Sequence, residues 1–246
     1  MVLEKPMMAR LDGRSAEQIR PITIIPSIYP QAAGSVLFRL GTTHVLAAVT
    51  LVSGVPPFLK NSGKGWLTAE YAMLPAATAL RSTRESMACK RNGRSIEIAR
   101  IIGRSLRSVV DLTTIGEKTI VVDCDVLNAD GGTRVASLCA AQLALLLAQK
   151  QWLATGLLAA PIIREELAAI AVGVAQSGEI LVDLTAAEDN AIVADYNFVL
   201  TAAGSIIEVQ GTAEQRPITW AECEQLQCAA QEAVQQIISS YRTIVA

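Results

Sequence analysis

The sequence predicts an α+β protein made of two similar halves in one domain. In each half, β-branched runs that indicate strands come first, and apolar runs with helical spacing come after them. No segment rich in proline, serine or charge divides the 246 residues, and a chain of this length can bury a large core. The order of elements favours helices packed on a largely antiparallel sheet. We therefore expect a single domain over residues 1–246.

The composition is aliphatic and carries almost no net charge. Apolar residues make up 51% of the chain, aromatic residues 4%, and the formal net charge is −2. Any binding of nucleic acid must therefore come from a local basic patch. No apolar run approaches the roughly 20 residues that span a bilayer, so we expect no membrane association. The N-terminus is charged where a signal peptide would be apolar, which predicts a cytoplasmic protein.

The five cysteines are odd in number and lack the spacing of a metal site. They are Cys89, Cys124, Cys139, Cys223 and Cys228. We interpret them as reduced thiols of a cytoplasmic protein. The only histidine, His44, lies in an apolar, strand-like run. A structural role is therefore expected for it, which excludes Ser-His and Cys-His catalysis.

The first half begins with strands. Residues 22–25 and 35–52 are predicted strands, and the second range turns at Gly41-Thr42-Thr43 as a hairpin does. A loop rich in glycine, proline and lysine follows, and then a short strand over residues 67–74.

The segment over residues 76–94 is polar and basic without clear periodicity, which predicts a functional loop. Helical spacing begins after it, with Ser95 as a possible N-cap. The apolar positions of this helix are Ile98, Ile101, Ile102, Leu106, Val109 and Val110. A strand over 119–127 and a helix over 134–150 complete the first half.

The second half repeats the order of strands and then a helix. Its strand-like segments cover residues 166–175, 179–184, 191–200 and 205–211, with turns at Ser177-Gly178 and Ala203-Gly204. The last helix is predicted to begin at Thr219, because Thr219 and Glu222 have the spacing of a capping box.

Residues 128–137, “NADGGTRVAS”, form the junction between a predicted strand and a predicted helix. Free backbone N–H groups, the hydroxyl of Thr133 and the guanidinium of Arg134 at a helix N-terminus suit phosphate or sulfate. A plain turn, with Thr133 as the N-cap and Arg134 in solvent, explains the same residues. The match alone leaves both interpretations open.

Basic residues are concentrated between positions 81 and 107, a segment that contains eight basic residues and only two acidic ones, Glu85 and Glu97. The eight are Arg81, Arg84, Lys90, Arg91, Arg94, Arg100, Arg104 and Arg107. A solvated helix face is the simpler explanation for each of the last three taken singly. For the whole segment we favour contact with a polyanion, because clustered arginines neutralise phosphates.

Two aspartates, Asp189 and Asp195, stand six residues apart across a turn into a strand. If they converged on a phosphate site, they would suit Mg²⁺ binding or proton transfer to a leaving oxygen. A turn cap and an edge-strand residue facing solvent explain the spacing better when it is taken alone.

Seven blocks of sequence carry a resemblance to a known family. They are “RLDGRSAEQIRPI”, “GSVLF”, “GVPPFLKNSGKGWLTAEYAMLP”, “NGRSIEIARIIGRSLRSVVDL”, “VDCDVLNADGGTRVAS”, “VDLTAAEDNAIVADYNFV” and “IIEVQGTAE”. In this order they resemble the ribonuclease PH family of bacterial exoribonucleases over nearly the whole chain. The resemblance implies the ribosomal-S5-domain-2-like ribonuclease PH fold, with two pseudo-repeated strand-then-helix halves in one domain.

The resemblance also implies a reaction and an assembly. In this family inorganic phosphate is a co-substrate that attacks the 3′-terminal phosphodiester of RNA and releases a nucleoside diphosphate. The typical substrate is the 3′ end of precursor tRNA, and Mg²⁺ is required. Six identical chains form a ring built as a trimer of dimers. We therefore expect a phosphorolytic 3′-to-5′ exoribonuclease that is a homo-hexamer.

The family's functional residues can be carried over to this sequence. Its phosphate-binding pair falls on Thr133 and Arg134, beside the Gly132 amide, and a second arginine near phosphate and RNA falls on Arg94. Its paired active-site aspartates fall on Asp189 and Asp195, which are expected to be catalytic and to bind the metal. Arg81, Arg84 and Arg94 are expected to contact RNA.

The chain departs from the family pattern at a few positions. After “MLP” the family usually has Arg-Ser-Thr-His-Thr-Arg, so that Ala76 replaces an arginine and Ala79 a histidine. Asn190 stands where the family tends to have serine. We expect these changes to affect RNA binding and ring contacts rather than phosphorolysis. The alternative is a non-catalytic RNA-binding ring subunit of an exosome-like assembly, against which the intact phosphate and aspartate residues argue.

Overall fold

The computed structural model describes residues 10–87 and 92–245. Nine strands and four helices are present in this part of the chain. The strands are β1 (Ile22–Pro26), β2 (Gly34–Leu40), β3 (Thr43–Ser53), β4 (Trp66–Met73), β5 (Lys118–Asn128), β6 (Leu167–Val174), β7 (Ile180–Val182), β8 (Ala194–Thr201) and β9 (Ile206–Ala213). The helices are α1 (Gly93–Val109), α2 (Thr133–Ala154), the single-turn α3 (Ala186–Asp189) and α4 (Trp220–Val245).

The strands form two sheets, one from each half of the chain. The first has five strands in the order β1-β2-β3-β5-β4, and the second has four in the order β7-β6-β8-β9. Every pair is antiparallel except β4 and β5. A parallel pair needs a crossover connection, which α1 supplies. The predicted α+β class with largely antiparallel strands is confirmed.

Helix α2 lies at the centre of the molecule. It contacts β2 and β3 of the first sheet and β6 of the second, and 15 of its side chains are buried. Alanine and leucine on most of its faces explain this burial, because such a helix has little surface to offer water. Helix α4 packs on β6, and one large buried cluster includes residues from both sheets.

Two helix starts differ from the sequence-based expectation. Helix α1 begins at Gly93, because the Asn92 side chain accepts a hydrogen bond of 3.0 Å from the Arg94 amide. Ser95 is therefore not the N-cap, and its buried hydroxyl donates to Glu85 instead. Helix α2 begins at Thr133, one residue before the predicted start, and its N-cap is Gly132 rather than Thr133 as the plain-turn interpretation had it.

The start of α4 was predicted correctly to within one residue. The Thr219 amide donates to Glu222 at 2.8 Å, and the Glu222 amide donates to the Thr219 hydroxyl at 3.2 Å. These reciprocal bonds form the predicted capping box.

The cysteines in the described ranges are free, and Cys124 and Cys139 are buried. Cys89, Lys90 and Arg91 lie outside the described residues. His44 lies half-buried in β3, where burial and the nearby Arg39 charge lower its pKa. No helix in the described ranges has the length and apolar character to span a bilayer.

Candidate active site

The loop between β5 and α2 requires both of its glycines. Gly131 and Gly132 have φ angles of +74° and +65°, which are unfavourable for residues with a side chain. A Cβ atom on Gly131 would lie 2.5 Å from the Leu184 carbonyl oxygen. Gly132 has no side chain to cap α2, so the amides of the first turn remain available to an anion.

The hydroxyl of Thr133 accepts hydrogen bonds from residues of two other elements. Tyr71 of β4 donates to it at 3.3 Å, and the Arg94 guanidinium, at the start of α1, donates to it at 3.5 Å. Burial raises the pKa of Tyr71, so that its hydroxyl keeps its proton at neutral pH. The structure therefore brings Arg94 and Thr133 together, as the family resemblance implies.

Arg134 is held by an acidic side chain of α1. Its Nη2 lies 3.0 and 2.9 Å from the two carboxylate oxygens of Glu97. Its Nε is buried and has no hydrogen-bond partner among the described residues. An unpaired donor of this kind is costly unless a ligand supplies the acceptor. Arg134 thus has a fixed orientation and a free donor.

Asp189 ends α3, and Asp195 is the second residue of β8. Partial burial raises the pKa of Asp189, and the Asp195 and Glu214 carboxylates raise it further, against the attraction of Arg94 and Arg134. The Asp130 carboxylate accepts from the Ala186 amide at 3.3 Å, so the start of α3 lies against the loop that leads to Thr133 and Arg134. The interpretation of Asp195 as a solvent-facing residue of an edge strand is wrong, because β8 lies between β6 and β9 and Asp195 is half-buried.

The remaining basic residues divide into two groups. Arg81, Arg84 and Arg100 are exposed. Arg104 pairs with Glu208 of β9, and Arg107 lies 4.4 Å from the centre of the Trp66 ring and donates to the Leu67 carbonyl at 2.9 Å. A solvated helix face is therefore wrong for Arg107, which is half-buried, whereas Arg104 is exposed and also pairs across to β9. Contact of the whole segment with a polyanion stays a prediction.

Sequence reasoning missed a buried ionic network beneath the site. It consists of Arg10, Arg14, Arg20, Asp183 and Glu188. The three arginines are at most 9% exposed, although they lie in a segment that reads as polar. Two features of the sequence could have indicated this network. They are the three arginines within the block “RLDGRSAEQIRPI” and the aspartate, Asp183, directly after the apolar run of β7.

Comparison with known proteins agrees with this geometry. A family profile described as “3' exoribonuclease family, domain 1” matches residues 18–151. The proteins named Ribonuclease PH from Neisseria meningitidis serogroups B and A are 46% identical over 226 residues, which is 92% of this chain and 93% of theirs.

Two solved structures share the fold. Rice (Oryza sativa) Rrp46 has a TM-score of 0.78 and 22% identity, with 96% of this chain and 100% of that chain covered. An Archaeoglobus fulgidus exosome chain, solved with RNA bound to the active site, has a TM-score of 0.79 and 21% identity, with 95% and 93% covered. Family profile and fold together define a 3′ exoribonuclease. The chain belongs to the ribonuclease PH family and is a phosphorolytic 3′-to-5′ exoribonuclease.

Proposed function

We propose that residues 132–134 and Arg94 bind the inorganic phosphate that cleaves RNA in this enzyme. One observation supports the proposal: the Arg94 guanidinium donates to the Thr133 hydroxyl at 3.5 Å, and the loop before Thr133 contacts the backbone that leads into α3. The basic groups and the helix that ends at Asp189 would then belong to one site. The buried free Nε of Arg134 and the uncapped amides of α2 give further support, because both are donors without acceptors.

In the proposed reaction, Arg134, Thr133 and the Gly132 amide orient the phosphate. A phosphate oxygen attacks the phosphorus of the terminal phosphodiester, and the bond from that phosphorus to the preceding 3′ oxygen breaks. The terminal nucleotide leaves as a nucleoside diphosphate, and the 3′ oxygen takes up a proton. Fixed donors stabilise the charge that develops on the phosphoryl oxygens.

Asp189 and Asp195 are the residues that would hold Mg²⁺. Two carboxylates combined with substrate phosphates are the usual ligands of this ion. No group of three or more acidic, histidine or cysteine side chains suited to a metal occurs in the described ranges, so substrate oxygens would complete the set. Burial and, after it, repulsion from Asp195 and Glu214 raise the pKa of Asp189, and a divalent cation would relieve the repulsion. When bound, the ion would neutralise charge on the leaving 3′ oxygen.

We propose the 3′ ends of precursor tRNA as the substrate and the cytoplasm as the location. Arg81, Arg84 and Arg94 are exposed, and Arg94 donates to the Thr133 hydroxyl, so these side chains could guide an RNA strand to the site. Arginines so placed neutralise backbone phosphates.

We also propose that residues 1–246 form one domain and that six chains assemble as a trimer of dimers. The buried cluster shared by both sheets supports one domain. Exposed apolar side chains support subunit contacts, and two of the similar solved structures are described as exosome assemblies. A non-catalytic ring subunit is the competing proposal, and it would have no need of the Arg134 guanidinium and the Asp189 carboxylate.

A single assay tests the function. The protein is incubated with a short RNA that has a 3′ extension, with Mg²⁺, and with or without inorganic phosphate. We expect nucleoside diphosphates and a shortened RNA only when phosphate is present. Nucleoside monophosphates formed without phosphate would contradict phosphorolysis, and RNA binding without any cleavage would favour the ring subunit.

A further inference from the structure

The centre of the buried ionic network is a carboxylate that is completely inaccessible to solvent. Asp183 is 0% exposed, and it accepts hydrogen bonds from the Arg20 amide at 2.7 Å, from Arg20 Nε at 2.9 Å and from Arg20 Nη2 at 2.7 Å. Its backbone has a φ of +57°, a conformation that few residues other than glycine, asparagine and aspartate adopt readily. Two residues 163 positions apart are thus locked together.

Arg20 extends this link to the loop between β5 and α2, residues 129–132, which we call the phosphate loop. Its Nη1 donates to the Asp130 carbonyl oxygen, and its Nη2 lies 3.5 Å from the Gly131 carbonyl oxygen. Both carbonyls belong to the two residues that precede the Gly132 cap of α2. The guanidinium therefore fixes the backbone from which the phosphate-binding amides follow.

The loop also touches the segment that leads to Asp189. The Asp130 carboxylate accepts from the Ala186 amide at 3.3 Å and from the Thr42 hydroxyl at 2.5 Å. Gly131 is so close to the Leu184–Thr185 backbone that even a methyl group would not fit there. The first residues of α3 therefore have a fixed position relative to the loop.

Helix α3 is held from its other side by Arg10. Arg10 Nε and Nη2 bind the two oxygens of Glu188 at 2.7 and 2.8 Å. The same carboxylate accepts from the Thr185 amide, at 2.8 Å, as part of a capping box. Asp189 directly follows Glu188, so the Arg10–Glu188 ion pair and the capping box also restrict the position of the Asp189 backbone.

We infer that Arg20 and Asp183 are positioning residues that set the distance between the phosphate loop and the aspartate pair. The inference rests on the proposed function, since it assumes that phosphate binds at residues 132–134. Neither residue touches the substrate. Both act through Asp130, Gly131 and the segment that starts α3.

Stability alone does not explain the pair. Removing two charges from water is costly, and their attraction often fails to exceed that cost, so apolar residues of similar volume would stabilise the fold as well. Apolar residues, however, would not bind the Asp130 carbonyl. Misplacement of a reacting group by about 1 Å can lower a rate by about a hundredfold.

The test compares three variants of the network with a control variant that destabilises the fold at a position outside it. Arg20→Lys keeps the charge but cannot reach Asp183 and the loop carbonyls at once. Asp183→Asn keeps the shape and the backbone preference, and Asp130→Ala removes a milder, partly exposed contact. The control is Leu226→Ala, which truncates a fully buried side chain of α4 outside the network. Phosphate KM, RNA KM, kcat and melting temperature are measured for each.

We expect Arg20→Lys and Asp183→Asn to raise the phosphate KM by about tenfold or more and to lower kcat. The RNA KM should stay within about twofold, and Asp130→Ala should show a smaller change in the same direction. Leu226→Ala should lower the melting temperature and leave the phosphate KM unchanged.

Unchanged phosphate KM in folded Arg20→Lys and Asp130→Ala would overturn the inference, and so would an equal rise of the phosphate KM in Leu226→Ala. Arg134→Ala, measured in parallel, distinguishes failure of the inference from failure of the proposed function. If it loses phosphate binding while the network variants keep it, the proposed function stands and only the inference fails. If it keeps phosphate binding, the proposed function itself fails.

Discussion

Single residues at this site have partners that the sequence could not reveal. The “GGTR” junction suited either an anion site at Thr133 and Arg134 or a plain turn, and the family resemblance was needed to choose the anion site. Nothing in the sequence indicated that Glu97 would bind Arg134 or that Tyr71 would bind Thr133. Those contacts depend on how α1 and β4 pack. The residue types were thus predictable, and their pairings were not.

Replacing Arg134 tests the phosphate assignment. We expect Arg134→Ala to lower the phosphorolysis rate at least about a hundredfold with the fold intact, because the change removes a charge-assisted contact to the nucleophile. Initial rates at saturating phosphate and circular dichroism measure the two effects. Arg164→Ala, which removes an exposed arginine paired with Asp111, is the matched control. Near-normal turnover with unchanged circular dichroism would refute the assignment.

The aspartate pair can be tested by neutral variants of the same size. We expect Asp189→Asn and Asp195→Asn each to abolish turnover at a fixed Mg²⁺ concentration, because carboxylate charge is needed to hold the ion. RNA binding, measured by fluorescence anisotropy, should be largely retained. Asp111→Asn, which alters a surface ion pair, serves as the control. Full activity of either active-site variant would mean that its carboxylate is only structural.

The pH dependence of activity should report on Glu214. Its charge helps to raise the pKa of Asp189, so Glu214→Gln should lower that pKa. If Asp189 must be ionised, activity is lost as the pH falls through its pKa, and a lower pKa moves this loss to lower pH. The acidic limb of kcat/KM should therefore shift downward in pH, while Glu224→Gln on α4 leaves it in place. A limb that stays or moves upward would contradict this role.

At the scale of elements, local signals were sufficient for most of the fold. Alternating β-branched runs predicted the strands, and the Thr219–Glu222 spacing predicted the capping box of α4. The start of α1 was misplaced because serine and asparagine are both good caps, and only the structure distinguishes Asn92 from Ser95. The predicted strand over residues 179–184 is present as β7, whereas the single turn of α3 is held by tertiary contacts that a local pattern does not contain.

The loop after β4 provides a test at this scale. Ala76 and Ala79 are exposed there, at positions where the resemblance implies an arginine and a histidine. We expect Ala76→Arg to tighten RNA binding at low salt and to steepen the log–log salt slope by about 0.7 to 1, with little change in turnover at saturating RNA.

The competing role of position 76 is a subunit contact. In that case Ala76→Arg would change the balance between hexamer and dimer and leave the salt slope unchanged. Anisotropy titrations at several salt concentrations and light scattering on the same variant separate the two roles. Ala76→Gln, which adds bulk without charge, controls for size. No change in either measurement would contradict both roles.

At the scale of the whole molecule, the surface retains apolar groups that one chain does not cover. Leu11, Phe58, Leu80, Met87 and Trp220 are each at least 70% exposed. Exposed apolar groups of this size favour subunit contacts. We therefore expect a hexamer of about six times 26.1 kDa in solution. Light scattering that shows a stable monomer at micromolar concentration would contradict the proposed ring.

The link between the two ends of the chain has a consequence for biosynthesis. Arg10 pairs with Glu188, 178 positions later, and Arg20 pairs with Asp183. A chain still on the ribosome cannot form these pairs until most of it has emerged, because domains fold as units during synthesis. The first half can reach its own strand pairing earlier, since β1 to β5 pair only with one another. If the proposed site residues are right, a nascent chain carries the phosphate loop without its aspartates, and we expect it to gain activity only when translation is nearly complete.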